Sequence, residues 1–432
     1  MTPKTPAEAV AYLKAQSPSS IRLGLDRIHT ALDALKHPEA AWPALHVAGT
    51  NGKGSTCAFA ASALSAQGYV VGLYTSPHLV RVNERFVVGG EPISDEVLGT
   101  RILEVLARIP PGLDLSYFEL GTVVAFWHFA QEQIDVAVLE AGLGGRLDAV
   151  TACKPTVTAI TAIGFDHMEY LGTTLAAIAN EKAGIIKQGV PLVVGRQPHD
   201  ALEVLERVAR QHGAPLKLLD RDFALKPAGQ GVFAYRGVNE SLPRVALGLR
   251  GPHQADNAAV ALASLELLQE QGLRTSAANR QAGLRDAQWP GRLEELPGSP
   301  LTVLDGAHNP MGVEALARSL DALYPGREIH LVFGVLADKD HGPMLRTLLP
   351  RCAAVYLTPL PSPRSLEPSK YAQEAARFVP KVSTHANAAE ALAAARAAAT
   401  RPNALVLVAG SLMLIGEVKS FSQREKVPRS GG

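Results

Sequence analysis

The sequence predicts an α/β protein: a large N-terminal domain with a mostly parallel sheet, followed by a second and smaller α/β domain. Three observations lead to this prediction. Short β-branched runs alternate with alanine-rich helical stretches, one glycine-rich segment joins a strand to a helix, and a segment rich in proline and glycine at residues 289–300 breaks both periodicities. Strand–helix alternation is typical of parallel sheets covered on both faces. We expect domains at residues 1–290 and 291–432.

The individual elements follow from the same patterns. Between residues 216 and 249 short polar-interrupted segments predict an irregular or β-rich insertion, and an alanine-rich helix is expected from about residue 254 to 269. Helical patterns cover residues 55–67 and 119–133. Apolar runs predict strands at residues 44–47, 70–74, 136–140, 156–163 and 191–194, and in the second domain near 301–304, 329–333, 353–357 and 404–408.

Composition and charge narrow the class of protein. The chain has 432 residues, of which 47% are hydrophobic, and its formal net charge is +1. This hydrophobic content is enough for a buried core. A net charge close to zero gives no overall electrostatic attraction to nucleic acid or to an anionic membrane. The three cysteines are far apart, which favours a reducing, cytoplasmic compartment. The N-terminus has no apolar signal region, and the apolar stretch at residues 404–416 is too short for a membrane span.

The strongest chemical signal is the segment Gly49-Thr-Asn-Gly-Lys-Gly-Ser55, between a predicted strand and a predicted helix. Glycines allow the main chain to curl so that successive N–H groups face one anion. The helix N-terminus adds a partial positive charge, and Lys53 adds a full one. These features predict a triphosphate site. The common Walker pattern is absent, because Val47 replaces its first glycine and Gly54 separates the lysine from the serine.

This departure is itself informative. Gly-Thr-x-Gly-Lys-Gly-Ser resembles the phosphate loop of the Mur ligase superfamily, and its Asn-Gly-Lys-Gly form resembles the folylpolyglutamate and dihydrofolate synthases. The resemblance extends along nearly the whole chain. It implies a P-loop-containing N-terminal domain, a Rossmann-like C-terminal ligase domain, and ATP bound by the loop residues Thr50, Asn51, Gly52, Lys53, Gly54 and Ser55.

Three more segments resemble the magnesium-binding stretches of this family. They begin at Thr75-Ser-Pro-His, at Glu140-Ala-Gly-Leu-Gly-Gly and at Gly164-Phe-Asp-His. A carboxylate at the carboxyl end of a parallel strand lies where ligands bind in such sheets, and Mg²⁺ prefers oxygen ligands. The resemblance implies that Ser76, Glu140 and His167 hold Mg²⁺.

The segment Ala179-Asn-Glu-Lys182 resembles the stretch that carries a carbamylated lysine in this family. A neutral amine captures CO₂ and becomes an anion, which helps to bind a second metal ion. By residue type alone Lys182 would be a solvent-exposed helix lysine. The resemblance instead places it among the catalytic residues, with Lys53, His167 and Arg292.

Further matches concern the nucleotide. Asn257 resembles the residue near adenine, Arg292 a phosphate-contacting arginine, and Asp305 the residue that meets the ribose, with His308 nearby. A guanidinium would stabilise charge on the transferred phosphoryl group. Because the matches lie in both predicted domains, we expect closure across residues 289–300 to complete the site.

The folate pocket is predicted by resemblance from three segments. The family continues its glycine-rich segment with Ala-Thr-Asn after the aspartate, whereas this chain has Ala149-Val150-Thr151, so the details of pterin recognition stay open. An aromatic side chain near a helix start, such as Phe118, is almost equally often part of the core. The predicted folate-binding residues are Ser20, Phe118, Glu119, Leu147, Asp148 and Ala149.

Together the matches imply an ADP-forming ligase that activates a carboxylate as an acyl phosphate and joins it to the amine of L-glutamate. The acceptor would be dihydropteroate, the γ-glutamyl tail of tetrahydrofolate, or both. A bifunctional, monomeric, cytoplasmic enzyme with small-molecule partners is our first interpretation.

Three alternatives stay open on the sequence. A Mur-type ligase for a cell-wall precursor would share the phosphate loop, but the Ser-Pro-His and Asp148 segments resemble the folate branch. A P-loop kinase or NTPase is disfavoured by the missing Walker pattern and the second α/β domain. A nucleotide-binding module without catalysis would need neither Glu140 nor Lys182.

Overall fold

The computed structural model describes residues 3–16, 22–229 and 231–426, and the chain forms two compact units. Unit 1 comprises residues 1–164, 168–248 and 254–288, and unit 2 comprises residues 165–167, 249–253 and 289–432. Both units are α/β, which confirms the predicted fold class. The domain boundary between residues 290 and 291 stays a prediction.

Unit 1 is built on a large sheet of eight strands in the order β4-β3-β2-β5-β1-β6-β7-β8. The six strands from β2 to β8 in this order are parallel, and β3 and β4 add an antiparallel edge. The strands are β1 Ala44–Ala48, β2 Val71–Tyr74, β3 Phe86–Val88, β4 Glu91–Pro92, β5 Val136–Glu140, β6 Val157–Ile160, β7 Leu192–Val194 and β8 Leu216–Leu218.

Ten α-helices of the described residues belong to unit 1, together with four short 3₁₀ turns. The turns lie at Pro38–Ala40, Val82–Arg85, Ala149–Ala152 and Ala183–Ile185. The helices are α1 Pro6–Ala15, α2 Asp26–Ala34, α3 Lys53–Ala66, α4 Asp95–Arg108, α5 Tyr117–Gln131, α6 Met168–Leu171, α7 Leu175–Lys182, α8 His199–Gln211, α9 Gln254–Glu270 and α10 Ala277–Asp286.

The predicted insertion is β-rich, as expected. Its first strand, β8, joins the large sheet, and the rest forms a separate antiparallel sheet in the order β11-β10-β9. The strands of this small sheet are β9 Ala224–Pro227, β10 Phe233–Arg236 and β11 Ser241–Val245.

Unit 2 has a six-stranded sheet in the order β12-β13-β17-β14-β15-β16, parallel except for β12. Its strands are β12 Glu294–Leu296, β13 Leu301–Leu304, β14 Glu328–Phe333, β15 Cys352–Leu357, β16 Val382–Thr384 and β17 Ala404–Ala409. Its helices are α11 Pro310–Leu323, α12 His341–Leu348, α13 Ala372–Ala375, α14 Ala388–Ala398 and α15 Leu412–Lys426, with 3₁₀ turns at Leu349–Arg351 and Pro368–Lys370.

Burial explains why the apolar runs became central strands. Every residue of β1, β5 and β6 is buried, as expected for parallel strands covered on both faces. Two neighbouring cores lie on one face of the sheet, one that includes Ile28, Ile102 and Phe126 and one that includes Ile178 and Leu205. The apolar stretch from residue 404 is a buried strand running into α15, and within the described residues no helix has the length and apolar content of a membrane span.

His46 is the one titratable side chain of β1, and it is fully buried. Neither ring nitrogen has a hydrogen-bond partner in the part of the chain that the structure describes. Burial, with a smaller contribution from the positive charge of Lys187, lowers the pKa of His46 from 6.5 to about 3. The imidazole is therefore neutral in the folded protein across the physiological range.

This burial predicts a pH-dependent stability. Between pH 6.5 and about 3 the unfolded chain binds a proton at His46 that the folded chain does not bind. Stability therefore falls as the pH drops below 6.5, by up to about 1.4 kcal/mol per pH unit from this residue alone. Urea titrations of the His46→Leu variant between pH 4.5 and 7.5 should show a flatter dependence than the wild type. The exposed His199→Gln variant should keep the wild-type dependence, and an unchanged slope in His46→Leu would contradict the assignment.

Candidate active site

The glycine-rich segment lies where the sequence predicts it, between β1 and α3. Gly52 is the N-cap of α3 and has a φ of +91°, a left-handed conformation that glycine adopts without strain. The first intrahelical bond runs from Thr56 N to Gly52 O at 2.9 Å. The N–H groups of residues 53–55 precede that bond and have no acceptor within the helix, so they form an anion-binding helix N-terminus.

The start of the same loop is tied to the end of β6. Thr50 N and Asn51 N both donate to Ala162 O, at 2.9 and 3.2 Å, and the Thr50 hydroxyl bonds to the main chain of Gly164. These two amides hold the loop in place and do not face an anion. A direct role of Thr50 and Asn51 in ATP binding stays a prediction. Because their main-chain N–H groups already bond to Ala162 O, any contact with ATP would have to come from other atoms of these residues.

Lys53 and Asn257 both lie against this turn. Lys53 Nζ donates to Thr50 O at 3.2 Å, so the ammonium stays close to the loop. A Cβ atom on Gly52 would overlap Asn257 Oδ1, and the Thr56 hydroxyl donates to Asn257 O at 3.4 Å. The structure therefore places Asn257, from the first turn of α9, directly against the phosphate loop.

Lys182, at the end of α7, is the main surprise of this loop. The side chain is buried, with the residue only 4% exposed, and its Nζ donates to Gly49 O at 2.8 Å. The expectation from residue type alone, an exposed helix lysine, is wrong because α7 packs against the sheet. The amine instead lies at the first residue of the phosphate loop.

Glu140 and Ser76 lie together at the carboxyl ends of adjacent strands. Glu140 is the last residue of β5 and is 5% exposed, and its Oε2 accepts the main-chain N–H of Ser76 at 3.1 Å. A buried carboxylate beside a hydroxyl side chain is a set of hard oxygen donors, which fits Mg²⁺. No group of three or more His, Cys, Asp or Glu side chains in the described residues could hold a metal ion. The predicted set contains only two residues of these types.

The segment that follows Glu140 is held by Asp148. Its carboxylate is buried and accepts Leu143 N at 2.7 Å and Val150 N at 3.0 Å. Burial raises the pKa of Asp148 from 3.8 to about 6, against the opposing effect of these hydrogen bonds. The predicted folate contacts Leu147 and Ala149 flank it, the first half-buried and the second buried.

Phe118 and Glu119 occupy the start of α5. The Phe118 ring packs on Gly142, where an added Cβ would overlap it, so the aromatic lies beside the glycine-rich segment as well as the core. Glu119 is 3% exposed; it closes a capping box with Ser116 and pairs with Arg27 at 2.9 Å. Its carboxylate thus has a structural role whether or not it meets folate. The predicted contact Ser20 lies outside the described residues.

In unit 2, the segments that carry Arg292 and Asp305 are bonded to each other, with Gly306 N donating to Gly291 O at 2.8 Å. Asp305 is buried and uses both carboxylate oxygens on the main chain, accepting Leu293 N and Ala307 N at 3.0 Å each. Arg292 Nη1 donates to Gly291 O at 3.0 Å, and Gly306 leaves no room for a side chain beside the guanidinium. Burial raises the pKa of Asp305, with the charge of Arg292 acting in the opposite direction.

Sequence reasoning missed a cluster around Asp166 in unit 2. Its carboxylate contacts Lys339 Nζ at 2.6 Å, Asn309 Nδ2 at 2.9 Å and His308 Nε2 at 3.6 Å, and it accepts the N–H of His167 at 2.9 Å. Burial would raise the pKa of Asp166, but the hydrogen bond and charge of His308, with Lys339 and His167, hold it well below its usual range. The sequence offered only one signal, an acidic residue directly before His167.

Comparisons with known proteins agree with this geometry. Residues 47–265 match the Mur ligase middle domain, and residues 291–412 match the Mur ligase, glutamate ligase domain. The Bacillus subtilis dihydrofolate synthase/folylpolyglutamate synthase is 37% identical over 371 residues, which cover 83% of this chain and 86% of that protein. The chain belongs to the folylpolyglutamate synthase/dihydrofolate synthase family of Mur ligases.

Solved structures of this family cover the whole fold. Escherichia coli FolC in complex with DHPP and ADP is 32% identical with a TM-score of 0.88, covering 98% of this chain and all of that one. A bifunctional folylpolyglutamate synthase/dihydrofolate synthase with Mn, AMPPNP and L-glutamate bound is also 32% identical, with a TM-score of 0.86 and coverage of 98% of this chain and 100% of that one. Family members therefore bind adenine nucleotides, a divalent metal and glutamate.

The position of Lys182 leads to a direct test of its modification. If Lys182 carries a carbamate, protein equilibrated with ¹³C-bicarbonate should give a ¹³C carbamate resonance, and the Lys182→Gln variant should lack it. Lys187→Gln, which changes the nearby lysine of the next segment, should keep the resonance. A wild-type spectrum without the resonance would leave Lys182 as an unmodified amine bonded to Gly49.

Proposed function

We propose that this chain is a bifunctional dihydrofolate/folylpolyglutamate synthase, an ATP-dependent ligase that adds L-glutamate to dihydropteroate and to the γ-glutamyl tail of reduced folates. One observation carries the proposal. The phosphate loop after β1, Glu140 at the end of β5 and Ser76 after β2 stand at the carboxyl ends of three adjacent parallel strands. Ligands bind at such an edge.

The relatives support the folate branch over the Mur-type alternative. The Bacillus subtilis relative carries both synthase activities in its name, and the Escherichia coli structure contains DHPP and ADP. A kinase or NTPase without an amide product is disfavoured, because the C-terminal part of the chain matches a glutamate ligase domain.

The chemistry proceeds in two steps. A carboxylate oxygen of the folate substrate attacks the γ-phosphorus of ATP, the bond to the bridging oxygen breaks, and ADP leaves behind an acyl phosphate. The glutamate amine then attacks the acyl carbon, forms the amide, loses a proton and expels inorganic phosphate. Catalysis of this kind depends mainly on positioning and charge stabilisation.

The chain's own residues have distinct tasks in this scheme. The N–H groups of residues 53–55 and the Lys53 ammonium bind phosphate oxygens. Arg292 stabilises charge on the transferred phosphoryl group. We assign Ser76, Glu140 and His167 to the Mg²⁺ ion, which neutralises phosphate charge when bound.

Two further assignments belong to the same proposal. We propose a monomer, for which the sequence resemblance is the only support. We also propose a cytoplasmic location, which is supported by the three cysteines, Cys57, Cys153 and Cys352, all of them free and buried.

The function is tested by product analysis. Purified protein with MgATP and L-glutamate should release ADP with either dihydropteroate or tetrahydrofolate, and mass spectrometry should show a product one glutamyl residue heavier in each case. The Lys53→Met variant serves as the control for contaminating ATPases. Turnover with one substrate only would reduce the proposal to a single synthase, and no glutamylated product from either would reject it.

Arg292 provides a second test. Arg292→Met should lower kcat by about 10²- to 10³-fold, the usual loss when one donor to a charged transition state is removed. The KM for ATP should change much less, because the loss falls on charge that develops during transfer. The exposed Arg401→Met variant of the same unit is the matched control. An unchanged kcat in Arg292→Met would remove this arginine from the mechanism.

A further inference from the structure

Asp166 combines deep burial with an unusual number of partners. Its side chain is 7% exposed, and so is that of Lys339, which it contacts at 2.6 Å. Asn309 Nδ2 donates to the other carboxylate oxygen at 2.9 Å, and His308 lies 3.6 Å from it. A buried carboxylate with an ammonium and an amide on its two oxygens has little freedom to rotate.

The same carboxylate fixes the main chain of the next residue. Asp166 Oδ1 accepts the N–H of His167 at 2.9 Å, and His167 has a φ of +50°. A non-glycine residue in this left-handed region is strained and persists only where its surroundings impose it. The conformation that orients the His167 imidazole is therefore held by a carboxylate that Lys339 and Asn309 hold in turn.

Asp166 forms its hydrogen bond with the backbone of His167, and the ring adds a longer-range charge interaction. His167 Nε2 lies 3.9 Å from Asp166 Oδ1, which is beyond hydrogen-bond distance. Asp166 thus fixes where the His167 side chain starts, through the hydrogen bond to its main-chain N–H. Partners of this kind, one step removed from the metal, are known to set the orientation of metal-binding histidines.

We propose that Asp166, anchored by Lys339 and Asn309, is the positioning residue of the metal-binding His167. This inference rests on the proposed function, because it takes His167 as a metal ligand. It assigns Asp166 no contact with substrate. The consequence is that metal affinity should depend on a carboxylate that itself binds no metal.

A double variant separates positioning from stability. Asp166→Ala alone removes the acceptor of the His167 N–H and the nearer of the two carboxylates beside Lys339 Nζ, leaving Asp338 at 3.6 Å, which destabilises the fold whatever the role of Asp166. Asp166→Ala with Lys339→Met removes both charges of the close pair and should recover most of the urea midpoint. Mn²⁺ affinity is then measured by electron paramagnetic resonance on protein saturated with a non-hydrolysable ATP analogue. The double variant should bind Mn²⁺ about 10- to 100-fold more weakly than the wild type, as expected when a partner of a metal ligand is lost.

Two further variants serve as controls. Glu169→Gln changes the same charge at an exposed site in the adjoining helix and should bind Mn²⁺ like the wild type. Lys339→Met alone keeps the bond from Asp166 to His167 N, so it should lose much less affinity than the double variant. Wild-type affinity in the double variant, or an equal loss in Lys339→Met alone, would overturn the inference.

His167→Ala distinguishes this inference from the proposed function. It should weaken Mn²⁺ binding at least as much as the double variant does. If His167→Ala binds Mn²⁺ normally, His167 is not a ligand and the positioning role of Asp166 is rejected. The ligase assay would still decide the proposed function independently.

Discussion

The parallel register of β2, β5, β1 and β6 is the constraint on which the rest of unit 1 depends. Because the four strands are neighbours and run the same way, their carboxyl ends lie along one edge of the sheet. Glu140 is the last residue of β5, and Ser76, the phosphate loop and the segment after β6 follow the ends of the other three strands. Residues far apart in the chain therefore become neighbours without any long loop reaching across the surface. The complete burial of the central strands keeps this edge rigid.

The loops at this edge are held mainly by buried polar side chains. Lys182 bonds to Gly49, Gln197 bonds to both Thr161 O and Ile163 N, and Asp148 binds two amides of its own segment. Irregular backbone has no ladder to satisfy its amides and carbonyls, so buried loops need such partners. Polar groups that are predicted to belong to the active site thus also stabilise its framework. These hydrogen bonds explain how such polar side chains can be nine-tenths buried in a stable fold.

Sequence periodicity was sufficient to place the central strands, the phosphate-loop helix and α9, because burial on both faces leaves a continuous apolar pattern. Periodicity could not show which distant residues contact each other at the site. Lys182 and Gly49 are 133 residues apart, and Asp166 and Lys339 are 173 apart, so only the tertiary fold shows that they meet. Residue type gave the wrong environment for Lys182, because charged residues are almost never buried without such a partner. The short edge strands β3 and β4 and the antiparallel β12 were also missed, since two or three residues carry no readable period.

The departure from the family pattern after Asp148 is explained by how this loop is held. Val150 and Thr151, which stand in place of Thr-Asn, are both buried. Val150 N donates to Asp148 Oδ1, and the Thr151 hydroxyl donates to Gly145 O at 2.6 Å. Both residues therefore bond within their own segment, and a hydroxyl is enough to make the second bond. It follows that Val150 and Thr151 support the glycine-rich segment from within, around the buried carboxylate of Asp148.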